Sequence, residues 1–290
     1  MTRLAPSPRS TGEREYASII PDAMEGDDRH LAQLRPGKRP PAYSMRALGR
    51  NNLPDTITID GVTWRHTRTH KHDFWAVTGF YENERGRRAV LKMARTEPFM
   101  GFGLEFIGRF LCRREIRFYN ALREIPNIPP IVGMVGTTGF LHAFVEGAPL
   151  SKDRPVPENF FDDIEHLMHE IHARRIAYVD ANKPENILLG DDGRPHLIDF
   201  QISWDLHELG DTWLNRWWLK RLQHSDIYHV LKHKKRLRPD QLSEGERAIV
   251  ENRGPLIRLH RLVTMPYKRI RRSTFKRMRA SGRLLPEGSK

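Results

Sequence analysis

The sequence has a single cysteine and no long apolar run. Cys112 stands alone among 290 residues, so neither an intramolecular disulfide nor a cysteine-built zinc site can form. No stretch approaches the roughly 18 apolar residues that a membrane-spanning helix needs. Arg3 is not followed by the apolar segment of a secretory signal. We therefore expect a cytoplasmic protein that neither spans a membrane nor is exported.

Acidic residues are scarce in the last quarter of the chain. Residues 213–290 contain 21 Lys and Arg against 6 Asp and Glu, a net charge of +15, whereas residues 1–212 sum to −2. Such a region attracts membrane headgroups, nucleic acid or an acidic or phosphorylated substrate, and salt weakens the attraction. A solvated basic face without a dedicated partner is an equal alternative. Peripheral binding at the inner face of the membrane therefore stays open.

The pattern along the chain predicts four regions. The first is rich in proline and poor in apolar periodicity, which is typical of a flexible tail. The second and third are the two lobes of a folded domain, and the last is a basic helix or tail. Their predicted bounds are 1–55, 56–146, 147–265 and 266–290.

Short strand-like runs and amphipathic helices alternate inside the predicted domain. Three strands come first, then a helix with apolar residues at helical spacing, then two more strands. A second helix follows, with a hairpin after it that turns at residues 190–193. The sequence thus predicts an α+β fold, a small antiparallel sheet lobe plus one helix and then a mainly helical C-terminal lobe. The predicted strands cover 63–69, 74–81, 88–93, 131–135, 140–145, 187–189 and 195–198, and the helices carry Phe106, Phe110, Leu111, Phe118, Tyr119 and Leu122, then Phe160, Phe161, Ile164, Leu167, Met168 and Ile171.

The most informative segment reads Asp-Ala-Asn-Lys-Pro-Glu-Asn-Ile-Leu-Leu at residues 180–189. Asp199 and Phe200 follow Asn186 after a 13-residue gap. Phosphoryl transfer requires a carboxylate that orients the attacking hydroxyl, with an amide oxygen and a second carboxylate to hold magnesium. Asp180, Asn186 and Asp199 match these three roles, and the hairpin between the last two would bring them together.

These motifs resemble the protein-kinase-like superfamily. The Lys-Pro-Glu-Asn run is similar to its catalytic loop, and Asp199-Phe200 stands where the family has Asp-Phe-Gly. The finer resemblance is to bacterial lipopolysaccharide-core (Kdo and heptose) kinases and to RIO-like kinases. It implies a two-lobed kinase fold that binds ATP and Mg²⁺.

The resemblance extends to the predicted N-terminal lobe. The run Ala-Val-Leu-Lys ending at Lys92 looks like the family's third strand, whose lysine contacts the nucleotide phosphates and pairs with a helix glutamate. Glu115 shares the apolar face of its helix and is the favoured partner, with Glu105 as the weaker candidate. The order of elements places the adenine near the main chain of Phe144, Val145 and Glu146.

Several positions depart from the family pattern. The turn at residues 69–73 has no glycine, so we hypothesise that Lys71 takes over part of the phosphate contact. Tyr178 and Val179 precede Asp180 in place of His-Arg, which argues against switching by loop phosphorylation. Asp180 and Asn186 lie six positions apart, one more than usual, and Gln201 replaces the motif glycine. A metal site at the nearby histidines is disfavoured, since further ligands are lacking: His66, His70 and His72.

Two stretches after Asp199 have competing interpretations. Trp213, Trp217, Trp218 and Leu222 recur at helical spacing, and a tryptophan stripe of this kind usually belongs to the core. Residues 267–278 combine an apolar side with many cations. This second stretch is either an ordinary basic surface helix or one that lies on an anionic membrane, and nucleic-acid contact ranks third.

Together these observations predict a kinase that transfers the γ-phosphate of ATP to a hydroxyl acceptor. Lys92, Glu115 and Asp180 are its predicted catalytic residues, with Asn186 and Asp199 as metal ligands. The acceptor, either a protein side chain or a sugar of lipopolysaccharide type, is expected to be anionic or membrane-associated. The rival hypotheses are a pseudokinase that binds nucleotide or docks partners, and a basic adaptor for membranes or nucleic acid.

Overall fold

The computed structural model describes residue 43 and residues 46–99 and 102–251. Two lobes follow one another along the chain, and the first contains a six-stranded antiparallel sheet in the order β1-β2-β3-β4-β6-β5. One long helix, α1, spans Glu105–Ala121 between the fourth and fifth of these strands. The strands are β1 Thr56–Ile59, β2 Val62–His72, β3 Ala76–Asn83, β4 Arg88–Ala94, β5 Ile131–Val135 and β6 Gly139–Ala143.

The sheet has one strand more than the sequence pattern predicts. Strand β1 pairs with β2 through a tight turn at Asp60 and Gly61, which have φ values of 49° and 75°. Asp-Gly with positive φ at both positions is the signature of a two-residue hairpin. Ile57 is buried between exposed threonines, as expected for a half-buried strand. Four residues alternate too briefly to stand out as a strand in the sequence.

The second lobe is mainly helical, with short strands around its loops. Helix α2 (Phe160–Ala173) and helix α4 (Trp213–Leu237) pack against each other, and α5 (Glu244–Glu251) packs on α4. The predicted hairpin is present, because β9 and β10 pair antiparallel, and β7 adds a third strand. The predicted α+β architecture of a sheet lobe followed by a helical lobe is confirmed. The remaining elements are β7 Gly147–Pro149, β8 Ile176–Ala177, β9 Ile187–Gly190, β10 Pro195–Leu197, β11 Trp204–Asp205 and α3 Leu206–Leu209, with 3₁₀ helices at Pro184–Asn186 and Pro239–Gln241.

The folded region begins before the predicted boundary at residue 56. Ala47, Leu48 and Leu53 are buried in the sheet lobe, and the hydroxyl of Tyr81 donates to the carbonyl of Pro54 at 2.6 Å. The prediction of a flexible tail is therefore wrong for residues 46–55, because three apolar side chains suffice to pack this segment onto the sheet. The rest of that tail, apart from Tyr43, and the basic stretch 267–278 lie outside the described residues.

Two sets of aromatic side chains are exposed to solvent. Phe106 and Phe110 of α1 face solvent, while Phe118 and Tyr119 of the same helix lie in the core. Three tryptophans at the start of α4, Trp213, Trp217 and Trp218, are also exposed, so the core interpretation of that stripe is wrong. Helical spacing shows that residues share a face but does not show which face the fold covers. Of the described helices, none is both long and apolar enough to cross a bilayer.

Helix α1 approaches the sheet lobe closely through Gly108. A Cβ atom built at this position would lie 2.1 Å from the carbonyl oxygen of Arg95. Real Cβ atoms do not approach a backbone oxygen so closely, so any side chain here would push the helix away from β4. The absence of a side chain at residue 108 therefore sets the distance between α1 and the strand that carries Lys92.

We expect Gly108→Ala to destabilise the fold by about 1–3 kcal/mol through overpacking, although alanine is the better helix former. Gly245→Ala in α5 is the matched control, because no atom lies within 4 Å of the added Cβ there. This control should be neutral or stabilising by up to about 1 kcal/mol. Urea unfolding of both variants measures the difference. Equal stability of the two variants would contradict the close packing of α1.

Candidate active site

Lys92 of β4 contacts two carboxylates from different parts of the chain. Its Nζ atom is 2.8 Å from Oε1 of Glu115 on α1 and 2.8 Å from Oδ1 of Asp199, which follows β10. The Lys92 side chain is 14% exposed and that of Glu115 is 3% exposed. Glu105, the weaker candidate partner, is instead exposed and lies 3.9 Å from Arg109.

The three charges shift one another's protonation. Burial works against the charge of Lys92, but Glu115 and Asp199 together hold its pKa above the ordinary value. Burial raises the pKa of Glu115, and Lys92 opposes that rise. For Asp199 burial also acts to raise the pKa, yet Lys92 and then Lys183 bring it below the ordinary value. Lys92 therefore favours the ionised form of Asp199 despite the burial of this carboxylate.

Asp180 forms a compact group with Lys183 and Asn186. Its Oδ2 atom accepts hydrogen bonds from Lys183 Nζ at 2.6 Å and from Asn186 Nδ2 at 2.8 Å. The additional residue between Asp180 and Asn186 is taken up by a turn from the Asp180 carbonyl to Lys183 and by the 3₁₀ helix after it. The six-residue spacing therefore still brings the predicted base beside the predicted metal ligand.

The surroundings of Asp180 leave one oxygen available. Among the described residues no group hydrogen-bonds to its Oδ1 atom, although Oδ2 receives two donors. Burial raises the pKa of Asp180, while the hydrogen bond and the charge of Lys183 lower it. Lys183 was not singled out from the sequence, although it stands within the quoted motif. Its ion pair with Asp180 places a cation at the open side of the catalytic loop.

The backbone before Asp180 is held in a strained turn. Val179 has φ of +70°, which is unusual for a β-branched residue, and the amide of Asp180 donates to the carbonyl of Tyr178 at 2.9 Å. Strain of this kind persists only where the surroundings enforce it. Here the turn fixes the direction in which the Asp180 side chain leaves the loop.

The side chain of Asp226, on α4, holds this turn in place. Its fully buried carboxylate accepts the amides of Tyr178 at 2.8 Å and Val179 at 2.7 Å, and it contacts Nε2 of His172 at 3.1 Å. Sequence reasoning missed this residue. The available signal was that Asp226 is the single acid in a helix rich in Lys and Arg.

Asp199 is also held in an uncommon backbone conformation. Its φ is +63°, and its amide donates to the hydroxyl of Tyr119 on α1 at 3.2 Å. The ring of Phe200 stacks edge-on between Tyr119 and Tyr178, with centroid distances of 4.9 and 5.2 Å. The hydroxyl of Tyr178 donates to the carbonyl of Ile198. Aromatic contacts therefore join α1, the segment after β10 and the loop that carries Asp180.

The connection between the lobes carries the predicted adenine contacts. The amide of Phe144 donates to the carbonyl of Arg88 at 3.2 Å, and the carbonyl of Glu146 accepts from the amide of Asp191 at 2.8 Å. Neither main-chain group of Val145, which lies between them, has a hydrogen-bond partner in the described part of the chain. The Glu146 carboxylate pairs with Arg88 Nε at 2.9 Å. Of these three residues, Val145 is thus the one with both backbone groups available to an adenine ring, while Glu146 fixes the connection.

The hairpin that replaces a glycine loop is closed by a side chain. Oδ1 of Asp73 accepts from the amides of Trp75 and Ala76, and its Oδ2 lies 3.0 Å from Nζ of Lys71. Lys71 is about half exposed near the tip of the β2–β3 hairpin. The phosphate contact proposed for it stays a prediction. Nearby His72 receives a hydrogen bond from Arg46, so this histidine serves the packing of the N-terminal segment.

The segment after Asp199 is attached directly to α1. Arg114 donates to the carbonyls of Gln201, at 2.9 Å, and Ser203, and to the carboxylate of Glu208 at 3.1 Å. Arg117 pairs with the same glutamate at 2.8 Å. Guanidinium groups of α1 therefore hold this segment, and the absence of switching by loop phosphorylation stays a prediction.

Comparison with known proteins gives the following results. No family model and no curated protein matches the chain. Among solved structures, the Rio2 kinase from Chaetomium thermophilum is 15% identical over 62% of this chain and 60% of its own, with a TM-score of 0.45. Its ADP/Mg²⁺-phosphoaspartate complex is 15% identical over 71% and 63%, with a TM-score of 0.46. The BubR1 kinase domain is 14% identical over 78% and 73%, with a TM-score of 0.47. The chain thus matches less than two thirds of the Rio2 chains, and its function is argued below from its own residues.

We expect Asp226→Asn to destabilise the protein by roughly 2–4 kcal/mol. The amide cannot accept from both buried backbone donors, and one of its hydrogens would face a donor instead. Asp240→Asn is the matched control, since Asp240 is an exposed partner of Arg238 and should change stability by less than about 0.5 kcal/mol. Urea unfolding measures both. An Asp226 variant as stable as the control would show that the turn does not depend on this carboxylate.

Proposed function

We propose that this protein is a kinase that uses ATP and magnesium to phosphorylate a hydroxyl acceptor. The observation that carries the proposal is Lys92 held between Glu115 of the first lobe and Asp199 of the second. A cation fixed in this way suits the nucleotide phosphates, because it is oriented by α1 and stays charged. A structural ion pair alone does not account for Asp180, Lys183 and Asn186 gathered on the neighbouring loop.

Each residue has a distinct role in the proposal. Lys92 binds phosphate oxygens of the nucleotide, and Glu115 orients Lys92. Asp180 accepts or orients the proton of the acceptor hydroxyl through Oδ1, the oxygen without a partner among the described residues. Lys183 lies beside the Asp180 carboxylate, so its charge offsets negative charge on the phosphoryl group that is transferred. The backbone of Val145 binds the base, which explains why no side chain signals that contact.

The residues fit a magnesium ion. Asp199 has a lowered pKa and is ionised at neutral pH. Asn186 donates to Asp180 through Nδ2, so its side-chain amide oxygen is not used by Asp180. Oxygen donors of this kind are the ligands that magnesium prefers. When bound, the ion would supply charge neutralisation at the phosphates. Asp199 would then share its carboxylate between the ion and Lys92.

The acceptor is proposed as a hydroxyl on an anionic or membrane-associated molecule. A protein side chain and a sugar of lipopolysaccharide type are both compatible with this chemistry. The excess of cations in residues 213–290 supports an anionic acceptor through long-range attraction. A pseudokinase is the second candidate, motivated by the hairpin without glycine. It is disfavoured because Lys92, Glu115, Asn186 and Asp199 are all retained.

The direct test is transfer of labelled γ-phosphate from ATP with magnesium into fractionated bacterial lysate. We expect the wild type to label one fraction, and Asp180→Ala and Asp199→Ala to lose at least about a hundredfold of the rate. Asp192→Ala, at an exposed aspartate in the β9–β10 turn, is the matched control and should retain activity.

The outcomes separate the two candidates. Label that depends on Asp180 and Asp199 but not on Asp192 supports the kinase, and the labelled fraction identifies the acceptor as protein, glycan or small molecule. A folded wild type that binds ATP without transferring phosphate to any fraction would favour the pseudokinase. An Asp180→Ala variant with near wild-type rate would exclude Asp180 as the base.

The pH dependence of transfer should report on Lys183. Asp180 works as a base when ionised, and its pKa is raised by burial, so activity falls as pH drops through that value. Lys183 lowers this pKa, so Lys183→Ala should move the acidic limb of kcat/KM to higher pH. Lys183→Arg, which keeps the charge, should leave the limb in place. A lower plateau without movement of the limb in Lys183→Ala would contradict the coupling.

A further inference from the structure

The first turns of helix α4 expose an aromatic face to solvent. Trp213 is 78% exposed, Trp217 54% and Trp218 45%, and Leu214 beside them is 53% exposed. Trp213 and Trp217, like Leu214 and Trp218, lie four residues apart and therefore share one side of the helix. We name these four residues the tryptophan face.

The first turns of α4 are apolar on the outward side as well as on the inward side. The inward side of the helix carries Leu219, which joins a small core with Ala177 and Leu206, and the buried carboxylate of Asp226. The outward side should be polar, yet it carries the four large apolar residues. Contiguous exposed apolar area of this kind marks an interaction site more often than a solvated surface.

Basic residues lie among and beside the tryptophans. On a helix, Arg221 projects between Trp217 and Trp218, while Lys220 and Arg216 border the face on one side. Arg216 pairs with Asp211, whereas Lys220 and Arg221 form no ion pair with the described residues. The face therefore offers apolar rings and available cations together.

We propose that the tryptophan face binds the surface of an anionic lipid bilayer. Tryptophan is the side chain best suited to the interface, because its ring is apolar and its indole N–H bonds to headgroups. A helix with one apolar side flanked by cations lies in the plane of such a surface. Lys220 and Arg221 then add attraction to anionic headgroups.

Charge argues against two other occupants of the face. A second copy of the chain would bring its own Lys220 and Arg221 against the same cations. The remaining residues 252–290 contain 12 Lys and Arg against a single acid, so this segment would also meet like charge. An anionic lipid surface offers an apolar layer to the tryptophan rings and negative headgroups to Lys220 and Arg221.

The inference is separate from the proposed kinase activity, because it concerns another surface and another readout. If both hold, the membrane would concentrate the enzyme near a lipid-linked or membrane-bound acceptor. If the chain transfers no phosphate, vesicle binding is still expected.

The test uses the full chain and vesicles of phosphatidylcholine, with or without phosphatidylglycerol. We expect flotation with the mixed vesicles, weaker binding to phosphatidylcholine alone, and a blue shift of tryptophan emission that brominated lipid quenches. Trp213→Ala combined with Trp217→Ala should reduce the partition coefficient by at least about tenfold. Its unfolding midpoint should be nearly unchanged, since both side chains are exposed.

The matched control is Phe106→Ala combined with Phe110→Ala, which removes two exposed aromatic rings at the same spacing on α1. This control should bind vesicles like the wild type. Equal loss in both variants would overturn the proposal, because it would indicate general adsorption to apolar surface. Vesicle binding that persists in the tryptophan variant would overturn the proposal, because it would assign the binding to basic residues elsewhere in the chain. A wild-type dimer that the tryptophan variant dissociates, without vesicle binding, would assign the face to a second copy.

Discussion

The buried cation of Lys92 is the constraint on which the rest of the structure depends. It joins strand β4, helix α1 and the segment after β10 through two contacts of 2.8 Å. Charges so far from solvent are costly unless they are paired, and removing one partner of a buried pair typically costs about 3–5 kcal/mol. The packing around Lys92 therefore has to keep both carboxylates in place. Gly108 lets α1 approach closely, and Arg114 ties the following segment to the same helix.

Contacts from helix α4 of the second lobe hold the loop around Asp180 in place. Asp226 holds the backbone before Asp180 in a conformation that Val179 would not adopt by itself, and His233 of the same helix contacts the carbonyl of Ala181 at 3.0 Å. One helix thus supports the catalytic loop on both sides of Asp180. The first turns of that helix, which carry the exposed tryptophans, lie outside this support. Helix α4 therefore holds the loop around Asp180 with its later turns and exposes the tryptophan face in its first turns.

The contacts that hold this site in place differ from those of the family that its motifs resemble. No glycine lies in the hairpin tip, which is closed by Asp73. No arginine precedes Asp180, and the segment after Asp199 is instead held by Arg114 and Arg117. Tyr178, in place of a histidine, contacts Phe200 and the carbonyl of Ile198. These contacts hold the hairpin tip, the loop before Asp180 and the segment after Asp199 in place.

The sequence by itself determined the order of the two lobes and most of the strands, because these follow from local periodicity. The pairing of Lys92 with Glu115 was implied by the resemblance of the motifs, and helical spacing favoured Glu115 over Glu105. The sequence also placed Asp180, Asn186 and Asp199 on one hairpin and loop. Only the tertiary structure decided which helix faces are covered, so the tryptophans of α4, interpreted as core from their spacing, are exposed. It likewise revealed Asp226 and the packing of residues 46–55. Burial depends on neighbours distant in sequence, and no local pattern carries that information.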